Sequence, residues 1–409
     1  MSPQAPGVLE VPVDAAAAGA DDPDGWAAGA QELLARRLRA GAPVAPSLLP
    51  LPGGPGDDAL RAAARDAGPA AAGAVLLLPT SGSTGAPRLV PLGADAVRAG
   101  ARGGEALLGG PASWLLCLPL AHVAGWNVLA RGAVAGTVPA ALPPGTPFTA
   151  DAFVAAAERL LARAPGPVRT SLVPTQLVRL LEDPGGRRVL AALDAVLLGG
   201  AAAPPSLLAA AADAGARVVR TYGATETCGG CVYDGVPLPG VEVALEDDGR
   251  VLLGGDVLAL DQPVRAGTRW TRTADAGRWV DDPAARGGRR LEVLGRLDDV
   301  LVTGGEKVAP AAVEAVLAGA PGVREVLVVG VPDERWGQAV VAVVVPAPGG
   351  PAPDLAALRA AAAAALGRAA APRRLVLVDD LPRRALGKPD RRAAAALAAA
   401  ADGPPPGGG

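Results

Sequence analysis

From residue 74 onward, short apolar runs alternate with stretches of helical spacing, and this alternation constrains the fold more than any other feature of the chain. The strand-like runs lie at 74–79, 114–119, 168–173, 195–198 and 218–221. Helices fit residues 150–163, 176–182 and 205–214 between or after them, an α/β rhythm. Ahead of it, residues 26–40 read as an amphipathic helix and 42–57 as a Pro/Gly-rich loop. After Gly240 the pattern shortens to β pieces at 241–245, 250–253 and 290–294, joined by Gly and Asp turns. A second unit starts near Arg296. It reads as helix 310–318, strands 325–331 and 339–346, helix 355–366 and strand 374–378, with a loop at 346–353. The expectation is an α/β protein. A large N-terminal domain, residues 1–295, stacks α/β subdomains with a small β-barrel-like piece. A small mobile α+β domain follows at 296–401, then a frayed tail at 402–409.

Length supports that division, since 409 residues exceed the roughly 150 of an ordinary domain. A net charge of −3 provides no basic footprint for nucleic acid or an acidic membrane surface. The first residues carry neither a basic leader nor an apolar core, and no apolar run approaches the length of a membrane span. Three cysteines make no disulfide framework. A soluble cytoplasmic protein is the expectation. Ile is absent, and only Lys307 and Lys388 are lysine against 36 arginines. A coding bias that converts interchangeable lysines to arginine leaves lysine where a compact ammonium matters. His122 and Asn127, each the sole residue of its type, lie five positions apart.

The run TSGSTGAPR at 80–88 directly follows an apolar strand. Its glycines and small hydroxyl residues suit a loop whose N–H and O–H groups wrap a polyphosphate. It is not the GxxxxGK[ST] loop, and by itself such a run is more often an ordinary polar turn. Six further segments follow in order: PLAHVAG (119–125), LGGAAAP (198–204), YGATET (222–227), TADAG (273–277), GRLDDVLVTGGEKVAP (295–310) and LPRRALGKPDR (381–391). Together they resemble the acyl-adenylate-forming superfamily of acyl-CoA synthetases, luciferases and adenylation domains. The resemblance spans residues 75–391.

That resemblance implies ATP, Mg²⁺ and CoA as cofactor and cosubstrates, and a role for each matching residue. Thr80, Ser81, Gly82, Ser83, Thr84, Gly85 and Arg88 line the phosphates, although the family usually has lysine where Arg88 stands. Gly200, Ala201, Tyr222 and Gly223 surround the adenine, Thr225 holds the α-phosphate, and Glu226 offers a hard oxygen to Mg²⁺. Asp275 and Arg296 take the ribose. Asp298 is the hinge, and Gly304, Gly305 and Lys307 border the CoA channel, with Lys307 equally readable as structural. Lys388 places a point charge between ATP and the incoming carboxylate. His122 lines and gates the acyl pocket without acting as a base, because the acid is already ionised near neutral pH. Cys228 and Cys231, in CGGC, lack the second ligand pair a zinc site needs and read as pocket packing.

Among branches of this family, the chain is most similar to the compact o-succinylbenzoate–CoA ligases of menaquinone synthesis. The pointers are the short N-terminal region, residues 119–137 and SLVPTQLVRLL at 171–181. An aromatic keto diacid activated at one carboxylate needs a polar or cationic partner for the other, and Asn127, Arg131, Ser171 and Thr175 are candidates. Arg131 reads equally as a structural residue. The alternatives are another acyl- or aryl-CoA synthetase, a stand-alone enzyme loading a carrier-protein thiol, and a catalytically silent nucleotide-binding regulator. A homodimer is a further expectation.

Overall fold

The protein is described here from a computed structural model covering residues 8–13, 21–39, 46–54, 56–67, 71, 73–81, 87–383 and 389–401. The centre of the large domain is a seven-stranded sheet. Its order is Val236–Pro237, Gly229–Tyr233, Val218–Ala224, Ala195–Leu198, Val168–Leu172, Ser113–Leu116 and Ala140–Ala141. The last five are parallel, while Gly229–Tyr233 runs antiparallel to both its neighbours. Parallel neighbours need crossovers, and the helices supply them. Ala150–Arg163 shows why these residues form such a helix. Thr149 caps its start by accepting from the Ala152 N–H at 3.2 Å, and Phe153, Ala156, Ala157 and Leu160 recur at helical spacing to bury one stripe.

A second sheet of four strands, Val8–Pro12, Ser47–Leu51, Ala74–Ser81 and Pro87–Gly93, flanks the first. The segment expected to be a loop at 42–57 therefore contains a strand. Ser47–Leu51 is buried throughout and pairs in parallel with Val8–Pro12 and with Ala74–Ser81. Helix Pro23–Leu38 and the second sheet share one core with Trp114 and Trp126 of the central layer. The short β pieces after Gly240 become a five-stranded antiparallel sheet. Its longest members are Thr268–Asp281 and Arg289–Arg296, paired as a hairpin.

The small domain builds a five-stranded sheet of its own. Val323–Asp333 and Gly337–Pro346 pair along nearly their whole length, and Arg374–Leu377 joins the second of these in parallel. Helices Pro310–Leu317 and Leu355–Leu366 bury Val313, Leu317, Leu358 and Ala362 on one face of that sheet, and Arg391–Ala400 buries Ala394 and Ala398 on the other. A short 3₁₀ turn, Leu297–Asp299, links strand Arg289–Arg296 to strand Leu301–Thr303. Among the described residues, no helix is long and apolar enough to cross a membrane.

Candidate active site

Open α/β sheets bind ligands beyond the carboxyl ends of their parallel strands. Four of the segments singled out from sequence leave from those ends. Pro119–Gly125 follows Ser113–Leu116, Ser171 and Thr175 lie at the end of Val168–Leu172 and beyond, Gly199–Ala201 follows Ala195–Leu198, and Tyr222–Thr227 ends Val218–Ala224. Close backbone approaches hold these ends together. A Cβ on Gly223 would lie 2.0 Å from the Gly229 carbonyl oxygen, and one on Gly199 would lie 2.4 Å from Thr221 Oγ1. Gly200 has a φ of +83°, a left-handed conformation that side chains resist. Gly200, Ala201 and Gly223 are all exposed.

On the phosphate side, Ala74–Ser81 pairs antiparallel with Pro87–Gly93, so Thr80 lies opposite Arg88. The Thr80 hydroxyl donates to the Arg88 carbonyl at 3.3 Å. Gly82, Ser83, Thr84 and Gly85 lie outside the described residues, as does the side chain of Ser81. Arg88 reaches across to Asp261, Nη2 to Oδ2 at 2.6 Å, and its Nη1 lies 3.8 Å from Glu226 Oε1. Glu226 sits with Thr225 in a 3₁₀ turn whose next residue, Cys228, has φ +50°. Thr227 Oγ1 accepts from the Ala224 N–H at 2.9 Å and so fixes the start of that turn.

Glu226 is half-buried, and no cluster of three or more acidic, His or Cys residues among those described could cage a metal. One carboxylate beside the Pro87–Gly93 strand is a donor set that suits Mg²⁺ carried in by a nucleotide, because Mg²⁺ binds through one or two carboxylates plus substrate phosphates.

Tyr222 lies half-buried with its hydroxyl donating to Asp275 Oδ2 at 2.7 Å. Burial, reinforced by the Asp275 charge, pushes its phenol well above the usual range, so the ring stays neutral. Asp275 faces Arg296 across the long hairpin, with Nη1 at 3.9 Å from Oδ1. Arg296 also clasps Asp298 through Nε and Nη2, at 2.8 and 2.6 Å. This bond holds the Asp298 carboxyl below the usual carboxylate range. Tyr222, Asp275, Arg296 and Asp298 thus form one continuous line from strand Val218–Ala224 to the Leu297–Asp299 turn.

The acyl-side candidates converge on helix Val123–Ala135. His122 is half-buried at its N-cap. Asn127 donates to the Cys228 carbonyl, tying the helix to the Glu226 turn. Arg131, only 5% exposed, points inward. Its Nη2 donates to the Tyr233 hydroxyl at 2.9 Å, its Nη1 lies 3.4 Å from Ser171 Oγ, and its guanidinium carbon lies 4.9 Å from the centre of the Trp114 ring. Thr175 is half-buried at the start of helix Pro174–Glu182. Tyr233, Trp114 and Asp261 were missed in the sequence. Tyr233 is one of only two tyrosines, which is a usable signal, whereas Asp261 sits in an undistinguished DQP turn.

Gly304 and Gly305 make a tight turn with φ of +60° and +82°, and Lys307 is exposed on strand Glu306–Val308. Among the described residues, no hydrogen bond or ion pair joins Lys307 to the Tyr222–Asp275 line. Lys388 lies outside the described residues. Cys228 and Cys231 are buried, and burial pushes the Cys231 thiol up to about 12 and the Cys228 thiol further. Such thiols are inert packing at neutral pH.

Comparison with known proteins identifies the family. The AMP-binding enzyme family matches residues 18–263, and the AMP-binding enzyme C-terminal domain matches residues 312–388. A probable 2-succinylbenzoate–CoA ligase of Mycobacterium tuberculosis is 44% identical over 322 residues, 77% of this chain and 82% of that one. The o-succinylbenzoate CoA synthetase of Bacillus subtilis, solved with its acyl-adenylate intermediate, superposes with a TM-score of 0.63 at 27% identity, covering 78% of this chain and 68% of that one. The amide bond synthetase of Marinactinospora thermotolerans gives a TM-score of 0.69 at 30% identity, covering 86% and 76%. With motifs, sheet order and both family matches in agreement, the chain belongs to the AMP-binding enzymes, the acyl-adenylate-forming ligases.

Proposed function

We propose that the protein is an ATP-dependent carboxylate–CoA ligase acting on 2-succinylbenzoate through an acyl-AMP intermediate. In the first step a carboxylate oxygen attacks the α-phosphorus of ATP, the bond to the bridging oxygen breaks, and diphosphate leaves. In the second, the CoA sulfur attacks the acyl carbon, AMP leaves and the thiol proton passes to solvent. Glu226 would hold Mg²⁺, which would supply positive charge to offset the phosphates. Arg88, Thr80 and Thr225 bind the phosphates, Tyr222 presents its face to adenine, and Asp275 with Arg296 takes the ribose hydroxyls. Most of the rate gain belongs to positioning and charge stabilisation, with Lys388 the cation between ATP and the incoming carboxylate. The domains divide at 295/296, with Asp298 as pivot and Gly304, Gly305 and Lys307 on the CoA side.

The observation that carries the choice of acid is Arg131. A buried guanidinium is costly unless an anion answers it. Its bonds here run to the hydroxyls of Tyr233 and Ser171 and to a ring face, and no carboxylate among the described residues lies within ion-pair distance of it. A diacid with one carboxylate at the α-phosphate and the other on this fork satisfies both ends, with Asn127, Thr175 and His122 shaping the pocket between them. Cytoplasmic placement belongs to the same reading because ATP and CoA are cytoplasmic cosubstrates. A homodimer is part of it too, to be checked by light scattering.

Exchange of labelled diphosphate into ATP over a panel of acids tests the proposal. The expected result is strong exchange with 2-succinylbenzoate, followed by consumption of CoA. Exchange with fatty acids and none with the aromatic diacid would overturn it, and consumption of a carrier-protein thiol in place of CoA would reassign the second step.

A further inference from the structure

The family usually places lysine where this chain has Arg88, and the two cations make different demands. An ammonium is a point charge that works from many angles, whereas a guanidinium is a planar fork that must be aimed. Here the fork sits between two carboxylates. Its Nη2 is bonded to Asp261 Oδ2 at 2.6 Å, and Nη1 is 3.8 Å from Glu226 Oε1. The cation itself is open, with its side chain 53% exposed, while Asp261 and Glu226 are recessed at 23% and 22%.

Asp261 is itself held. Its other oxygen accepts from Gln262 Nε2 at 2.9 Å. The backbone leading to it is stitched to both partners, because the Ala259 N–H donates to the Glu226 carbonyl at 2.8 Å and the Leu260 N–H to the Pro91 carbonyl at 2.9 Å. A Cβ on Gly93 would lie 3.0 Å from the Leu260 side chain, so that strand can admit little else there. One segment, residues 259–261, thus joins the Arg88 strand, the Glu226 turn and a fixed carboxylate.

We propose that Asp261 is a positioning residue for nucleotide binding, holding the Arg88 guanidinium off Glu226. Without it, Arg88 closes on Glu226, the nearest remaining anion, and neutralises the oxygen that the incoming Mg²⁺ needs. With it, Glu226 stays open to the cation and the exposed edge of Arg88 faces the phosphates. A lysine at 88 has no fork to aim and needs no such partner. This inference rests on the nucleotide-binding reading above.

Calorimetric titration of the full chain with MgATP separates the possibilities. Asp261→Asn keeps the shape and the bond from Gln262 but removes the charge, and should weaken MgATP binding by about tenfold, one charge-assisted bond's worth. In diphosphate exchange the KM for MgATP should rise with kcat largely retained. Thermal melting should barely move, because an exposed ion pair adds little to folding. The decisive variant is Arg88→Lys combined with Asp261→Asn, which should bind MgATP as tightly as Arg88→Lys alone. Unchanged binding by Asp261→Asn, or losses that multiply in the double variant, would overturn the proposal. Failure of the unaltered chain to bind MgATP would overturn the nucleotide reading instead.

Discussion

At the scale of single residues, Arg131 shows how burial turns an ambiguous arginine into a specific expectation. Sequence left it between a surface role and an inward-pointing one. It lies 5% exposed and bonded to Tyr233. Hydrogen bonds to a charged group contribute about 1.5–3 kcal/mol, so losing the fork that meets a second carboxylate should cost about thirtyfold in affinity for the acid. Arg131→Lys should therefore raise the KM for 2-succinylbenzoate by that order while leaving the KM for MgATP near its original value. Steady-state kinetics with each substrate varied in turn checks this, and an equal rise in both would reduce Arg131 to a packing residue. Tyr222, Glu226 and Asp275 could be singled out in sequence because each sits in a short motif, YGATET or TADAG. Asp261 was not, since its partner lies 173 positions away and only the folded chain brings them together.

At the scale of elements, legibility followed local pattern. Strand Ala195–Leu198 and helices Ala150–Arg163 and Leu355–Leu366 have the limits their periodicity implied. Helix Ala94–Leu108 was missed because Gly100, Gly103 and Gly104 lower its helical propensity. Tertiary contact explains those glycines, since a Cβ on Gly103 or Gly104 would come within 3.0 Å of Leu238 or the Tyr233 hydroxyl. The opposite case is Arg391, which reads as the tail of a motif and proves to be the knot of the small domain. It donates to Asp299 at 2.9 Å and to the Val328 carbonyl at 2.8 Å, and it forks onto both oxygens of Glu314. Glu314 in turn accepts from the Val328 N–H at 2.7 Å. One guanidinium therefore ties helix Arg391–Ala400 to helix Pro310–Leu317, strand Val323–Asp333 and the Leu297–Asp299 turn. Truncating a partner of a mostly buried network strands the remaining charges, and Arg391→Ala should cost about 2–3 kcal/mol. Denaturant melts of Arg391→Ala, Glu314→Gln and the double variant should show strongly non-additive losses. Simple addition would mean that the two side chains act apart.

At the scale of the whole molecule, the question is whether the two domains are locked in the arrangement described. The Tyr222–Asp275–Arg296–Asp298 line ends in the turn Leu297–Asp299, and a Cβ on Gly295 would already lie 2.9 Å from Ala311 of the small domain. Beyond the turn, Arg324 of the small domain reaches Glu182 of the large one at 2.9 Å, with side chains 36% and 55% exposed. Exposed pairs of this kind contribute at most about 1 kcal/mol, comparable with thermal energy and far too little to fix an orientation. The proposed two-step mechanism requires rotation about the turn, so that residues 296–401 present different faces in the two half-reactions, and this ion pair opposes it only weakly. In the mechanism proposed above, Lys388 belongs to only one of them. A cation between ATP and the attacking carboxylate matters while charge builds at the α-phosphate, and on the proposed reading rotation has carried it from the site before the CoA sulfur attacks the acyl carbon. Lys388→Ala should accordingly lower acyl-AMP formation by about a hundredfold or more, the scale of losing one positioned charge in a transition state. Thioester formation from supplied acyl-AMP should stay within a few-fold of the unaltered rate. Single-turnover measurements of each half-reaction distinguish this from a structural role, in which both rates fall together.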